Sequence, residues 1–525
     1  MEQILARTGE IHGESVDVLV LNLFEKTKDL TEPVRFLDQS FHEVIHRVLQ
    51  ENNFKGKALE THLVYLISKQ GTDSTLTAKA VLLVGLGKKE EFNLETLRRA
   101  AGKAAKEISR RGFTSFATLL PGTNRPGEAQ ALVEGTLLGL YKFDPYKSKR
   151  EEDTKKIDRM ILICAGGQRL EEVEEEIRTA RIISESVNFA RDLINTPANL
   201  MTPSELANQA RQMAEACHLR CQILTEKEIS DLKMGALLAV ARGSEEPPRF
   251  VILEHDPKQV ANGKVQIDHA VWDTIVLAGK GVTFDSGGIS LKPSKGMYQM
   301  KTDMSGAAVV IATLQAVARL DLPLHVVGLI GATENLPSGK ATKPGDVITS
   351  LSGTTIEILD TDAEGRLILA DALAYAKRYN PQAVIDLATL TGACAITLGR
   401  VAAGMMGNDK SLLEKIRQAG ETSGERVWEL PLWEDYRELA KSKIADLKNI
   451  TEDVGAGTIM GGAFLSYFAE GYPWVHLDIA NVARNFEEKP YIPEGGTGFG
   501  VRLLVEFLRS WHREGSRSKN KTDNP

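Results

Sequence analysis

The run Asp360-Thr361-Asp362-Ala363-Glu364-Gly365-Arg366-Leu367 packs three carboxylates into five positions and adds a guanidinium. Carboxylates that close repel one another unless protons or cations neutralise them. A bound divalent metal is the simplest chemistry such a cluster supports. A second stretch carries matching groups. Lys280, Asp285 and Lys292 lie in GKGVTFDSGGISLKPS, residues 279–294, and Asp303 follows in MKTDMSG. Each piece has a plainer reading alone. Asp303 could cap the Ala-rich helix after it. Lys280 could be a solvated side chain, and DSGG could be an ordinary turn. GKG also lacks the ending and spacing of a P-loop. The pieces gain weight together, because two Asp-, Lys- and Gly-rich loops within about 90 residues can converge at one sheet edge.

None of the ten histidines falls in either loop. His325 and His476 sit in apolar runs and read as core residues. A donor set of Asp and Glu with at most an amine is hard. It suits Mg²⁺ and Mn²⁺ and can hold Zn²⁺. Four carboxylates exceed what one catalytic ion needs. Two ions sharing bridging carboxylates is the natural reading, and such pairs serve hydrolysis and phosphoryl transfer.

The elements around these groups read as α/β. Residues 354–359 form a β-branched run before the DTDAEGRL segment, and residues 367–374 read as a helix after it. The carboxylates would then occupy a turn at the carboxyl end of a strand, where open α/β sheets place ligand crevices. Residues 274–278 read as a buried strand ending in a Gly-rich loop. Glycines 279, 281, 287 and 288 would let that loop take positive φ and approach a ligand. Residues 16–21, 80–85 and 160–164 read as strands, and 94–111 and 128–139 as helices. The expected architecture is a smaller N-terminal α/β domain, residues 1–168, and a linker helix, 169–194. A larger α/β catalytic domain, 195–512, has a central mixed sheet flanked by helices. The polar tail 513–525 is expected to be disordered.

A chain of 525 residues is too long for one core, and 42% hydrophobic with 26% charged residues is ordinary for a globular protein. The net charge of −7 argues against nucleic acid as the main partner. Cys164, Cys217, Cys221 and Cys394 have neither zinc-ribbon spacing nor a disulfide framework, which fits a reducing compartment. The apolar run 16–23 is short, follows a polar lead, and reads as a strand rather than a signal peptide. No run is long enough to span a membrane. A cytoplasmic protein is expected.

The three metal-loop segments resemble the signature segments of the leucyl aminopeptidases, also called cytosol aminopeptidases. The likeness extends to NTPAN at 195–199, ATEN at 332–335, ATLTGA at 388–393, GTI at 457–459, HLDIA at 476–480 and GTGFG at 496–500. It covers roughly residues 180–510. The resemblance implies one metal on Lys280, Asp285, Asp303 and Glu364, and a second on Asp285, Asp362 and Glu364 with the Asp362 carbonyl. Lys292 and Arg366 match the two catalytic positions that are not ligands, with bicarbonate held at Arg366 as general base. Met300, Thr389 and Gly392 would line the pocket for the first substrate residue. The family's hexamer, facing an interior cavity, implies a homohexamer here.

Elementary chemistry agrees. Two Mn²⁺ or Zn²⁺ ions lower the pKa of a shared water, so hydroxide is available near neutral pH. Lys292 can stabilise the oxyanion of a scissile carbonyl. Lys280 can ligate only as the neutral amine, which adjacent cations favour. The Arg366 fork fits a planar carbonate. Capture of a free α-amine would explain exopeptidase action. The expected function is a metal-dependent aminopeptidase that releases Leu and other apolar N-terminal residues from peptides in intracellular protein turnover. Two positions depart from the family pattern: Asp360 stands where Asn is usual, and Asn481 where Gly is usual. Two-metal phosphoester hydrolysis is an alternative, as is DNA binding, which some bacterial relatives show; the acidic balance gives the latter no support.

Overall fold

Ala80–Gly87 is buried at every position, the signature of a strand covered on both faces. It belongs to the first of two compact units in this computed structural model. That unit comprises Met1–Glu185 and Glu487–Pro493. The structure describes the chain except residues 28–34, 36–37, 40–42, 52, 67–77, 122–124, 149–155, 165–168, 258–271, 453–454 and 523–525, and describes 512–522 as backbone only. Six strands form the sheet of the first unit, in the order Gln3–Thr8, Arg159–Cys164, Ser115–Leu119, Val18–Phe24, Ala80–Gly87, Thr61–Tyr65. All neighbours are parallel except the last pair. Helices Leu94–Arg110 and Glu128–Gly139 are tied by a buried Arg98–Glu134 ion pair at 2.7 Å. The return segment joins this unit through Tyr491, whose Oη donates to Glu95 Oε1 at 2.9 Å.

The second unit, Ser186–Phe486 and Glu494–Pro525, holds an eight-stranded mixed sheet. Its order is Val427–Glu429, Ala403–Gly407, Trp474–Asp478, Ala383–Ala388, Thr274–Asp285, His325–Asn335, Arg249–His255, Arg220–Leu224. The middle strands Trp474–Asp478, Ala383–Ala388, Thr274–Asp285 and His325–Asn335 are mutually parallel, so their carboxyl ends share one edge. Two apolar helices cover opposite faces. A Cβ added at Gly328 would meet Val310 of helix Ser305–Arg319, and one at Gly331 would meet Ile368 of helix Gly365–Ala376. Positions three apart on a strand point to opposite faces.

The helix Leu170–Asn195 runs through the boundary between the units. Val173, Ile177 and Ala180 are part of the first unit's core, so this half of the helix is a packed element as well as a connector. The last helix is Val501–Thr522, so the backbone of residues 513–522 of the tail expected to be disordered is helical, and 523–525 lie outside the described residues. Among the described residues, no helix is long and apolar enough to cross a membrane.

Candidate metal centre

The strand Thr274–Asp285 runs straight through GKGVTFD, so the expected Gly-rich loop there is instead strand. Gly279 and Gly281 serve close packing: added Cβ atoms would lie 2.7 Å from the carbonyls of Gly306 and Gly331. The turn begins later, at Gly287 and Gly288, with φ of +90° and +70°. Lys280 and Asp285 are five apart and would face opposite sides of a regular strand. The register shifts between Thr333 and Glu334, which pair with Val282 and Phe284 and skip Thr283. That bulge re-aims Asp285 toward the face of Lys280.

The DTDAEGRL segment arrives differently from the expectation. Its preceding strand is only Thr355–Glu357, in a side sheet with Val347–Thr349 and Leu447–Lys448 rather than in the main sheet. Asp303 is also not a cap. It sits in the 3-10 turn Met297–Met304, and its Oδ1 accepts from Lys280 Nζ at 2.9 Å and Thr389 Oγ1 at 2.7 Å.

The carboxylates of Asp285, Asp303 and Glu364 are buried, with one oxygen of each inside a 4.8 Å group. Lys280 Nζ stands 2.8 Å from Asp303 Oδ2 and 2.7 Å from Glu364 Oε1, and donates to the Thr389 carbonyl at 2.9 Å. Gly365 leaves it room, since a Cβ there would be 2.8 Å from Nζ. Asp285 Oδ1 accepts from Asn335 Nδ2 at 2.8 Å, and Asn335 Nδ2 also donates to the Thr361 carbonyl at 2.9 Å. One amide thus joins the two carboxylate-bearing segments. Lys292 Nζ bridges Asp285 Oδ2, at 2.7 Å, and Asp362 Oδ1. Asp362 is the outermost acid, its side chain one-third exposed.

Charge explains the titration of this cluster. Burial opposes the Lys280 ammonium, but Asp303, Glu364 and Asp285 outweigh it and hold its pKa above the usual lysine value. Lys292 is raised in the same way by Asp285 and Glu364 against its burial. Burial pushes Asp303 and Glu364 upward, with neighbouring carboxylates adding to it. Burial and then Asp285 push Asp362 up to about 6. Two ammonium groups face four carboxylates. Asp303 Oδ2, Asp362 Oδ1 and Glu364 Oε1 each lie beside a lysine nitrogen yet lack an aligned hydrogen bond. A hard divalent cation fits this donor set.

Arg366 is buried, and burial lowers its pKa. Its Nη1 donates to the Asn449 carbonyl at 2.6 Å, while Nε has no partner. Asn449 is a residue that the motif reading missed. It is fully buried. Its Oδ1 accepts from Leu359 N at 2.8 Å and Asp360 N at 3.3 Å, and its Nδ2 donates to the Asp360 carbonyl at 2.5 Å. It lies 83 residues after Arg366, so no local spacing marks it. The Asp360 side chain accepts from Asp362 N at 2.8 Å, closing the ligand turn. An Asn could make the same bond.

Of the expected pocket residues, Thr389 is at the centre through its bonds to Asp303 and Lys280. Met300 is half-buried on the 3-10 turn. Gly392 is exposed, with open space where a Cβ would stand. His476 is a core residue, its Nδ1 2.6 Å from Asp386 Oδ1, and His325 pairs with Thr274 and Glu254; neither is among the grouped metal-ligand candidates. The four cysteines are free.

The catalytic-domain model of the cytosol aminopeptidase family matches residues 188–505, and the family's N-terminal-domain model matches residues 9–150. The chain belongs to the cytosol aminopeptidase family. It is a metallo-exopeptidase of that family. Among its relatives is the probable cytosol aminopeptidase of Geotalea uraniireducens (strain Rf4), 47% identical over 475 residues, spanning 90% of this chain and 92% of the relative. That of Roseiflexus castenholzii (strain DSM 13941 / HLO8) is 42% identical over 514 residues, spanning 97% and 99%. The solved structure of the bottromycin maturation enzyme BotP in complex with Mn superposes with a TM-score of 0.80 at 35% identity, covering 95% of this chain and all of that one.

Proposed function

We propose that this family member is a two-metal aminopeptidase releasing Leu and other apolar residues from peptide N-termini. The observation that carries the reading is the buried Asp285–Asp303–Glu364 group at the carboxyl ends of the parallel strands. One ion would take Lys280, Asp285, Asp303 and Glu364. The other would take Asp285, Glu364 and Asp362 with the Asp362 carbonyl. Mn²⁺ or Zn²⁺ held there supplies Lewis acidity toward a peptide carbonyl and acidifies water near neutral pH.

The chain's own groups do the rest. Lys292, the less buried of the two lysines, offers its ammonium to the developing oxyanion. Arg366, held by Asn449, presents its remaining donors to an anion such as bicarbonate, which would serve as general base. Lys280 must lose its proton to ligate. The carboxylates oppose that loss and a cation among them favours it. Met300, Thr389 and Gly392 would flank the first substrate residue, and methylene-scale discrimination there is modest. A homohexamer is the proposed assembly. The exposed Trp428 and Trp433, at 65% and 63%, are the kind of surface a subunit contact covers. Cytoplasmic peptide turnover is the proposed setting.

The test is hydrolysis of leucine p-nitroanilide by metal-stripped protein before and after adding Mn²⁺ or Zn²⁺, with the N-acetylated substrate as control. Metal-dependent cleavage of the free-amine substrate alone is expected. No cleavage with either ion refutes the reading.

A further inference from the structure

Two guanidinium groups share one aromatic ring in the catalytic unit. The Arg400 guanidinium carbon lies 3.7 Å from the Phe486 centroid and that of Arg484 lies 4.8 Å from it. Arg484 also reaches Tyr298, at 5.9 Å. Each distance is within cation–π range, about 6 Å. Two like charges gathered at one ring repel. Neither arginine makes an ion pair among the described residues, and Arg484 Nη1 is buried without a hydrogen-bond partner. Glu494 is the acid whose charge reaches Tyr298, and it pairs with neither arginine. Tyr298 and Phe486 are exposed.

The cluster shares a chain segment with the candidate metal centre. Tyr298 is on the same 3-10 turn as Met300 and Asp303. Five residues of such a turn rise about 10 Å. Arg400 is on the loop after helix Ala393–Leu398, which starts beside Gly392. Asn481 Nδ2 holds that loop by the carbonyls of Gly399, at 2.6 Å, and Ala402, at 2.7 Å. The residue that departs from the family pattern therefore fastens the segment carrying Arg400. Asn481 lies three positions after Asp478, whose Oδ2 accepts from Thr391 at 2.6 Å.

We propose that Arg400 and Arg484, framed by Phe486 and Tyr298, form a carboxylate-binding rim that reads an acidic side chain on the second or third residue of a peptide substrate. An extended peptide advances about 3.3–3.6 Å per residue. The second and third residues lie about 3.5 and 7 Å of chain beyond the first, and a Glu side chain covers the rest of the roughly 10 Å from Asp303 to Tyr298. The inference rests on the aminopeptidase reading and narrows its substrates to peptides with downstream acidic residues.

The experiment compares leucyl tripeptide amides carrying Glu or Lys at the second or third position, with leucine p-nitroanilide as the reference. For the Mn²⁺-loaded wild type, kcat/KM is expected to favour the Glu peptides by about fivefold, mostly through KM, and the preference should shrink in 0.5 M salt. Arg400→Glu and Arg484→Gln should erase or invert it while leaving leucine p-nitroanilide hydrolysis within about twofold. Arg400→Gln serves if the charge reversal fails to fold. Equal rates for Glu and Lys peptides in the wild type overturn the rim, as does a preference that survives both substitutions. If the wild type does not cleave leucine p-nitroanilide, the aminopeptidase reading fails instead. Calorimetric binding of the same peptides to wild type and variants then decides the rim by the same criterion.

Discussion

Replacing Asn449 by Ala should damage the metal centre without touching a ligand. The side chain spans the start of the DTDAEGRL segment, accepting from Leu359 N at 2.8 Å and donating to the Asp360 carbonyl at 2.5 Å. Two longer bonds, to Asp360 N at 3.3 Å and the Ala363 carbonyl at 3.4 Å, complete the set. Each well-formed bond contributes about 1 kcal/mol net, and a group left unpaired away from water costs about 1–3 kcal/mol. The two short bonds therefore put the loss at about 2–4 kcal/mol, concentrated on the turn that presents Asp362 and Glu364. Partners outside the ligand set of a metal site typically control about 10–100-fold in affinity or activity. The assay is leucine p-nitroanilide hydrolysis across a Mn²⁺ titration, with a urea unfolding curve on the same protein. Asn449→Ala should need at least about tenfold more Mn²⁺ for half-activation. Asn449→Asp keeps the acceptor for Leu359 N but sets a carboxylate against the Asp360 carbonyl, so it should not restore the wild-type curve. A variant that matches wild type in both Mn²⁺ demand and kcat would refute the claim that this amide holds the ligand turn.

Three further outcomes follow from the geometry. Gly365→Ala places a Cβ 2.7–2.8 Å from Lys280 Cδ, Cε and Nζ, so activity should fall by about tenfold or more, and the crowding of this buried lysine should cancel the gain in helix propensity so that thermal stability does not rise. Asp371→Asn turns into a donor one of the two buried carboxylate oxygens that accept from the N–H groups of Ala236 and Leu237, at 3.0 and 2.9 Å, and of Leu351, at 2.7 Å. It should cost about 1–3 kcal/mol in urea unfolding and leave kcat at saturating metal unchanged. Metal binding should displace the Asp362 proton below pH 6, because its carboxyl is raised to about 6 by burial and by Asp285. Mn²⁺ affinity measured by calorimetry should therefore rise with pH throughout, because Lys280 gives up its proton on binding, and rise more steeply below pH 6, where the Asp362 proton is released as well. A pH dependence no steeper below 6 than above it would contradict that placement of Asp362.

The carboxylate and lysine motifs were legible as a candidate metal site because charge clustering is a property of residue type, readable without coordinates. The α/β class was legible for the same reason, since runs such as 80–85 and 274–278 carry their burial in their composition. The neighbourhoods of those motifs were not legible. GKGVTFD looks like a loop, but its glycines are needed where strands and helices approach within a Cβ of one another. Asp303 looks like a cap, but Lys280 and Thr389 claim its carboxylate from 23 and 86 residues away. Lys280 and Asp285 share a face only because Thr283 is skipped in the pairing with a strand some 50 residues on. Asn449 meets Leu359 and Arg366 across more than 80 residues. Residue chemistry and local periodicity are written along the chain. Register, approach distance and the pairing of remote polar groups arise only when strands far apart in sequence are laid side by side.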